Sequence, residues 1–208
     1  TYEIGDLDIH IRMLRDLLQF QDNDDAAKNI GICSAAWPIF GVIWPSGEVL
    51  AHLMLDYHVK GKRVLEVGCG IALASLVLNK RSADITATDH HPETEEFLVY
   101  NAGLNDGKTI PFIRAGWANP ADERLGLFDL IIGSDLLYES EHVDLLAAFI
   151  HNLCRNHCEV IIVDPGRGFH AKFSQKMINL GYSHSQKKPD KTDYLANHFK
   201  GWILTYRR

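Results

Sequence analysis

Residues 63–70, Arg63-Val64-Leu65-Glu66-Val67-Gly68-Cys69-Gly70, constrain the fold more than any other part of the chain. Val64, Leu65 and Val67 are β-formers of the kind that fill a buried parallel strand. Gly68 and Gly70 then allow a sharp turn and let the backbone approach a ligand with no Cβ in the way. Residues 71–79 are apolar and helix-compatible, so the turn opens a helix whose N-terminal amides face the ligand. Residues 84–88 read as a second strand, with Asp89 at its end. An acid at that point is where a nucleotide-binding α/β fold grips ribose hydroxyls. Together these features imply a nucleoside cofactor.

Which cofactor follows from what is missing. A dinucleotide fingerprint carries a third small residue after the two glycines, and here Leu73 stands at that position. That weakens the case for NAD. Glu66, two residues before the first glycine, suits S-adenosylmethionine instead, a ligand with a cationic amino-acid end, a sulfonium and no phosphate. The pattern Glu66-x-Gly68-x-Gly70 resembles motif I of the seven-strand, class I S-adenosylmethionine-dependent methyltransferases. The alternative is a βαβ unit whose glycines serve packing only.

A chain of 208 residues, 46% of them hydrophobic, suits one α/β domain with a sizeable core. Within it, residues 1–45 read as an N-terminal helical or cap segment and residues 46–208 as the core. No run of about 18 apolar residues is evident, so no membrane span is expected. The formal charge of −6 argues against a broad phosphate-binding face, and hence against nucleic acid as partner. Cys33, Cys69, Cys154 and Cys158 form no disulfide framework of a small secreted domain. The expectation is a reduced, cytoplasmic protein and a monomer. The chain begins at Thr1, which leaves a removed leader open.

Helix and strand alternate along the chain. Residues 6–20 carry mixed apolar spacing that a helix or a strand-to-helix transition explains. Ser46 is placed to cap a helix running to about residue 56, and Pro92 to open another through Asn101. Strands are expected at 63–67, 84–89, 110–114, 128–133 and 160–164, then after Tyr182 and at 199–206, with helices at 142–153 and 170–180. His151, Cys154, His157 and Cys158 imitate zinc-ligand spacing, but no second ligand pair at finger-like spacing accompanies them, so no metal site is assigned.

The segment Phe128-Asp129-Leu130-Ile131-Ile132-Gly133-Ser134 runs into Asp135-Leu136-Leu137-Tyr138. This resembles the acid-x-x-aromatic signature of methyltransferase family 16, a group that includes protein-lysine methyltransferases and was named for likeness to nicotinamide N-methyltransferase. Residues 40–47, with Trp44, resemble the same family's tryptophan-containing segment ahead of motif I. Asn101 and Trp117 also sit where that family places such residues. The resemblance runs from about Trp37 to the C-terminus. It implies a Rossmann-like, doubly wound α/β fold: seven strands, mostly parallel with an antiparallel last strand, and helices on both faces.

The resemblance also implies roles. Glu66, Gly68, Cys69 and Gly70 would line the methionine and ribose end of S-adenosylmethionine, and Asp89 would accept from both ribose hydroxyls. Trp117, with Gly116 beside it, would cover the adenine, His90 would lie near the adenosine, and Trp44 would close the site from above. Each tryptophan has a rival role in the core; Trp37 and Trp202 read as core or surface anchors. Ser134 ends the fourth core strand beside the cofactor. Asp135 would orient the nucleophile and accept its proton, and Tyr138 would shape the slot; the alternative for Asp135 is a helix cap near residues 139–145. Arg167, in a glycine-flanked loop, would pair with an acid on the target or lie free on the surface.

Absences narrow the acceptor. The Asn/Asp-Pro-Pro-aromatic clamp for planar amides is missing, because Leu136 and Leu137 stand where the prolines would be. No Pro-Cys pair suggests cytosine chemistry. The expected activity is N-methylation of a protein side chain, lysine first. A small-molecule N-methyltransferase and a non-catalytic S-adenosylmethionine-binding partner protein remain as alternatives, with a nicotinamide-dependent oxidoreductase last.

Overall fold

Strict alternation along the central strands gives one sheet two buried faces. The computed structural model describes residues 1–119 and 122–208. The chain opens with a hairpin of β1 (Tyr2–Ile4) and β2 (Leu7–Ile9), then the short α1 (Ala26–Asn29). From there α2 (Pro45–Asp56), β3 (Arg63–Val67), α3 (Leu73–Lys80), β4 (Asp84–Asp89), α4 (Thr94–Leu104) and β5 (Phe112–Arg114) follow. The second half runs β6 (Phe128–Ser134), α5 (His142–Leu153), β7 (Cys154–Asp164), α6 (His170–Asn179), β8 (Ser183–Lys187) and β9 (Trp202–Arg207).

The large sheet has seven strands in the order β5-β4-β3-β6-β7-β9-β8. The first five pair in parallel, and β9 runs antiparallel to both of its neighbours. Val64, Leu130, Ile132, Ile161 and Val163 turn to the face covered by α2, α3 and α4. Leu65, Ile131, Val160 and Ile162 turn to the face covered by α5 and α6. This is the doubly wound, mostly parallel architecture expected from the sequence. Chain order reverses between β3 and β6, and such a switch point opens a crevice at the carboxyl ends of the strands.

Several boundaries differ, each for a physical reason. The segment ahead of Pro45 is not mainly helical. Its first residues form the β1–β2 hairpin around Gly5, whose φ of +61° suits the turn. Residues 10 and 12 are then held by side chains at the end of α4: Asn105, just past its last residue, and Asn101 each accept the backbone N–H and donate to the carbonyl of His10 and Arg12 respectively. Ser46 does not cap α2. Pro45 starts that helix, where its missing N–H costs nothing, and Ser46 Oγ is buried without a partner among the described residues.

The segment Ser34–Asp56, interrupted by Glu48 and His52, contains an 18-residue window of mean hydropathy 1.3. It folds as two short 3-10 turns and then α2, separated by extended backbone at Val42 and Trp44. The 12 residues of α2 reach about 18 Å, well short of a hydrocarbon core of about 30 Å. β7 begins at Cys154, six residues before the expected Val160, because the ladder to β6 continues through a bulge between Phe128 and Leu130. Cys154, His157 and Cys158 therefore lie on a strand rather than at a helix end.

Candidate functional site

The carboxyl ends of β3, β4 and β6 enclose a cleft of about 510 Å³, in the usual range for small-ligand sites. Trp44, Glu66, Gly68, Cys69, Gly70, Asp89, His90, Gly116, Trp117, Ser134, Asp135 and Tyr138 all line it. Residues spread from Trp44 to Tyr138 thus meet in one crevice because neighbouring strands end there. Trp37 and Trp202 lie elsewhere: the Trp37 indole donates to the Ile32 carbonyl, and Lys188 sits 3.7 Å above the Trp202 ring.

The floor is the turn after β3. Gly68 and Gly70 adopt φ of +57° and +51°, the left-handed region that glycine enters without steric cost. A Cβ on Gly70 would stand 3.0 Å from the Phe40 carbonyl oxygen, so close backbone approach also requires glycine. The Cys69 N–H donates to the Thr88 carbonyl at 3.0 Å and ties the turn to β4. Asp89 braces the turn in return: one carboxylate oxygen accepts the Gly70 N–H and the other the His91 N–H, both at 2.8 Å. An ionised carboxylate offers about four acceptor positions, so about two remain. Burial raises the Asp89 pKa against the opposing pull of those N–H donors.

Glu66 shares the face of Val64, among apolar residues that pack on α3. There one oxygen accepts both the N–H and the hydroxyl of Ser75, in the first turn of that helix. Burial outweighs those donors and pushes its carboxyl up to about 7, with Asp89 adding repulsion. Its second oxygen has no partner among the described residues. Cys69 is buried and its thiol is pushed well up by that burial, so it stays a neutral, small apolar wall.

Aromatic rings form the walls. Trp117 and Tyr138 both meet the edge of the His142 ring, at 5.1 and 4.6 Å between centroids, and His142 is fixed by the Leu136 carbonyl at 3.0 Å. Partial burial, then the carboxylates of Asp89, Glu139 and Asp135, push the Tyr138 hydroxyl up to about 12. It therefore remains a neutral donor. On the opposite side Phe40 stacks on His91 at 3.9 Å, and burial holds that imidazole down at about 4, hence uncharged. Gly116 leaves room for His90, whose Nδ1 would stand 2.9 Å from an added Cβ. Trp44 is pinned at the entry to α2 by donation from its indole to the Ile39 carbonyl.

Asp135 caps no helix: α5 starts at His142 after Glu141. Its backbone takes a φ of +55° just beyond β6, and its N–H donates to the Val163 carbonyl. That left-handed turn costs an ordinary residue about 1–2 kcal/mol and, glycine apart, is tolerated best by Asp and Asn. The Asp135 carboxylate is clamped by Arg167, with Nε donating to one oxygen at 2.6 Å and an Nη to the other at 2.9 Å. So Arg167 is neither free on the surface nor open to a target's acid. Asn101, which matched the family's pattern in the sequence, holds the backbone of Arg12. His142, the Ser75 partner of Glu66 and the Asp135–Arg167 pair escaped the sequence reading. Ser75 in the first turn after the glycines was a signal that could have been used; the other two carry none.

Residues 34–178 match the family model described as lysine methyltransferase. The chain is 33% identical over 145 residues to the electron transfer flavoprotein beta subunit lysine methyltransferase of Xenopus laevis, covering 68% of this chain and 56% of that protein. It is 28% identical over 150 residues to the calmodulin-lysine N-methyltransferase of Arabidopsis thaliana, covering 66% and 49%. The chain thus spans about half the length of these relatives. Among solved structures, a methyltransferase from Pyrococcus furiosus superposes with a TM-score of 0.61 at 18% identity, covering 90% of this chain and 98% of that one. A magnesium protoporphyrin IX methyltransferase from Synechocystis, solved with bound S-adenosylmethionine, gives 0.60 at 21% identity, covering 78% and 77%. At those identities the structures speak for the fold.

Proposed function

The chain belongs to the lysine methyltransferase family, and on that premise we propose that it transfers a methyl group from S-adenosylmethionine to a lysine side chain of a protein. The observation that carries this reading is the convergence of the Gly68–Gly70 turn, Asp89, Asp135 and Tyr138 on one cleft. The bound cofactor supplies a methyl group on a cationic sulfur, which an amine lone pair displaces in line as the carbon–sulfur bond breaks. The residues fit such a ligand. The left-handed glycines admit it against the backbone, and Asp89 keeps acceptor positions for a pair of ribose hydroxyls. Glu66 has a carboxyl near 7 that a cationic ligand would ionise. Trp117 and His90 offer walls for the base, and Trp44 covers the entrance.

A lysine amine with a pKa near 10.4 is only about one part in 2,500 neutral at pH 7. Removing its proton is therefore part of the task. Asp135 supplies the charge that draws the ammonium in and a site to take its proton, while the neutral Tyr138 and the ring of His142 hold the stem in line. The electron transfer flavoprotein beta subunit and calmodulin, named for the relatives, are the first acceptors to try. The free thiols, with Cys33 exposed, support a reducing compartment, for which the cytoplasm is our proposal, tested by cell fractionation.

The test is transfer of labelled methyl from S-adenosylmethionine into those two proteins and into the protein fraction of a cell extract. The expected result is a protease-sensitive, nuclease-resistant band that disappears with Asp135→Ala while S-adenosylhomocysteine still binds. Label confined to small molecules would move the acceptor to a metabolite. Absence of S-adenosylhomocysteine binding would remove the cofactor reading altogether.

A further inference from the structure

Asp135 is the only carboxylate given the acceptor amine in the reading above, yet both of its oxygens are already engaged by one guanidinium. Its side chain is 8% exposed, and a carboxylate so buried is costly to leave without a cation. A second cation cannot add to the first on a single charge without repulsion. A lysine that arrives therefore meets an anion already neutralised, with a like charge beside it.

The two partners differ in their freedom to move. Asp135 is fixed by its left-handed backbone and by its N–H bond to the Val163 carbonyl, which extends the β6–β7 ladder. Arg167 reaches in from the connection between β7 and α6, and its side chain is 43% exposed. Gly166 and Gly168 flank it at φ of +95° and +100°, and nothing lies within 4 Å of a Cβ built on either, so the loop has space around it. The guanidinium also lies 5.7 Å from the centre of the Trp44 ring, a π face on which a displaced cation can rest. Trp44 and Asp135 line the same cleft.

We infer that Arg167 holds, on Asp135, the place of the acceptor ammonium, so that acceptor binding is an exchange of two cations on one carboxylate. This rests on the reading that Asp135 receives the lysine. The resident cation is suited to the post. A guanidinium keeps its proton at any physiological pH and has no free lone pair to be methylated, so it fills the site without consuming cofactor. A lysine takes its place only when the rest of the target supplies enough contact to offset the lost bidentate pair. Arg167 would thereby set a threshold that discriminates against free amines and loosely bound lysines.

The test compares wild type, Arg167→Ala, Arg167→Gln and Asp135→Ala at saturating S-adenosylmethionine, with the protein fraction of an extract titrated as acceptor. The glutamine variant keeps most of the stem packing, and S-adenosylhomocysteine affinity reports folding and the cofactor site. The expected result is that both Arg167 variants label the target with a half-saturating acceptor concentration at least about threefold lower. The maximal rate does not fall, S-adenosylhomocysteine affinity stays within about twofold, and N-acetyl-lysine amide becomes a detectable acceptor. A loss of maximal rate in both variants, as in Asp135→Ala, overturns the exchange and makes Arg167 a positioning residue for Asp135. Unchanged half-saturation overturns it as well. If no variant labels any protein while S-adenosylhomocysteine binds, the lysine reading fails and the inference falls with it.

Discussion

At the residue scale, Glu66 shows how one buried carboxyl links stability to the site. In the folded chain its pKa is about 7 against an ordinary 4.5. The native state therefore holds a proton that the unfolded state has released between those values. Its contribution is fully present below about pH 4.5 and is lost as pH rises through 7, a change on the order of 3 kcal/mol for a shift of this size. Thermal unfolding of the ligand-free protein should accordingly show a fall in Tm between pH 5 and 8. Glu66→Gln, which keeps an acceptor for Ser75, should flatten that part of the profile while weakening S-adenosylmethionine binding. A wild-type profile without that fall would refute the assignment. Gly70 makes a second residue-level case. Alanine there must hold a left-handed φ and meet the Phe40 carbonyl at 3.0 Å. Gly70→Ala should cost about 1–2 kcal/mol and reduce S-adenosylhomocysteine affinity at least tenfold by calorimetry.

At the element scale, α4 does more than cover the sheet. Asn101 and Asn105 lie one helical turn apart, both are buried, and their amides pair with the backbone of Arg12 and His10. Their carboxamides take the place that a neighbouring strand would have for this segment. The segment continues to Leu14, whose N–H donates to the Gly41 carbonyl at 2.7 Å and whose side chain packs where Gly41 has no Cβ. Gly41 follows Phe40, a wall of the cleft, so α4 supports the site at a distance. Asn101→Ala would remove both hydrogen bonds that hold the Arg12 backbone, at about 0.5–1.5 kcal/mol each. Limited proteolysis should then cut between residues 10 and 25 much faster than in wild type. S-adenosylhomocysteine affinity should fall less than with Gly70→Ala.

At the scale of the whole molecule, the formal charge of −6 bears on the partner rather than on the fold. On the proposed reading, a lysine-bearing target approaches a chain of net negative charge, and exposed charges are screened over about 8 Å at physiological salt. Methyl transfer to such a target should weaken several-fold between 50 and 500 mM salt on the order set by that screening, mainly through the half-saturating acceptor concentration. S-adenosylhomocysteine binding, governed by buried groups, should change far less. A maximal rate that falls instead, with half-saturation constant, would count against electrostatic docking.

While its resemblance to a known family implied the doubly wound sheet, the sequence by itself determined the order of helices and strands in the core, the glycine turn and the acids at the strand ends. These follow from local rules: alternation of Val, Leu and Ile on a pleated strand, glycine where φ must be positive, and an acid one residue past an apolar run. That the named residues gather in one cleft was legible too, since parallel strands that share a sheet end on the same side; His142, which also lines it, was not. Only the tertiary structure decided which polar groups pair: Asp135 with Arg167, 32 residues away, and Asn101 with Arg12, 89 residues away. It likewise decided that residues 2–9 form a hairpin and that β9 lies between β7 and β8. Such pairings carry no periodic mark. They exist because packing brings a buried charge or an unpaired backbone group beside a partner, and desolvation makes leaving it alone too costly.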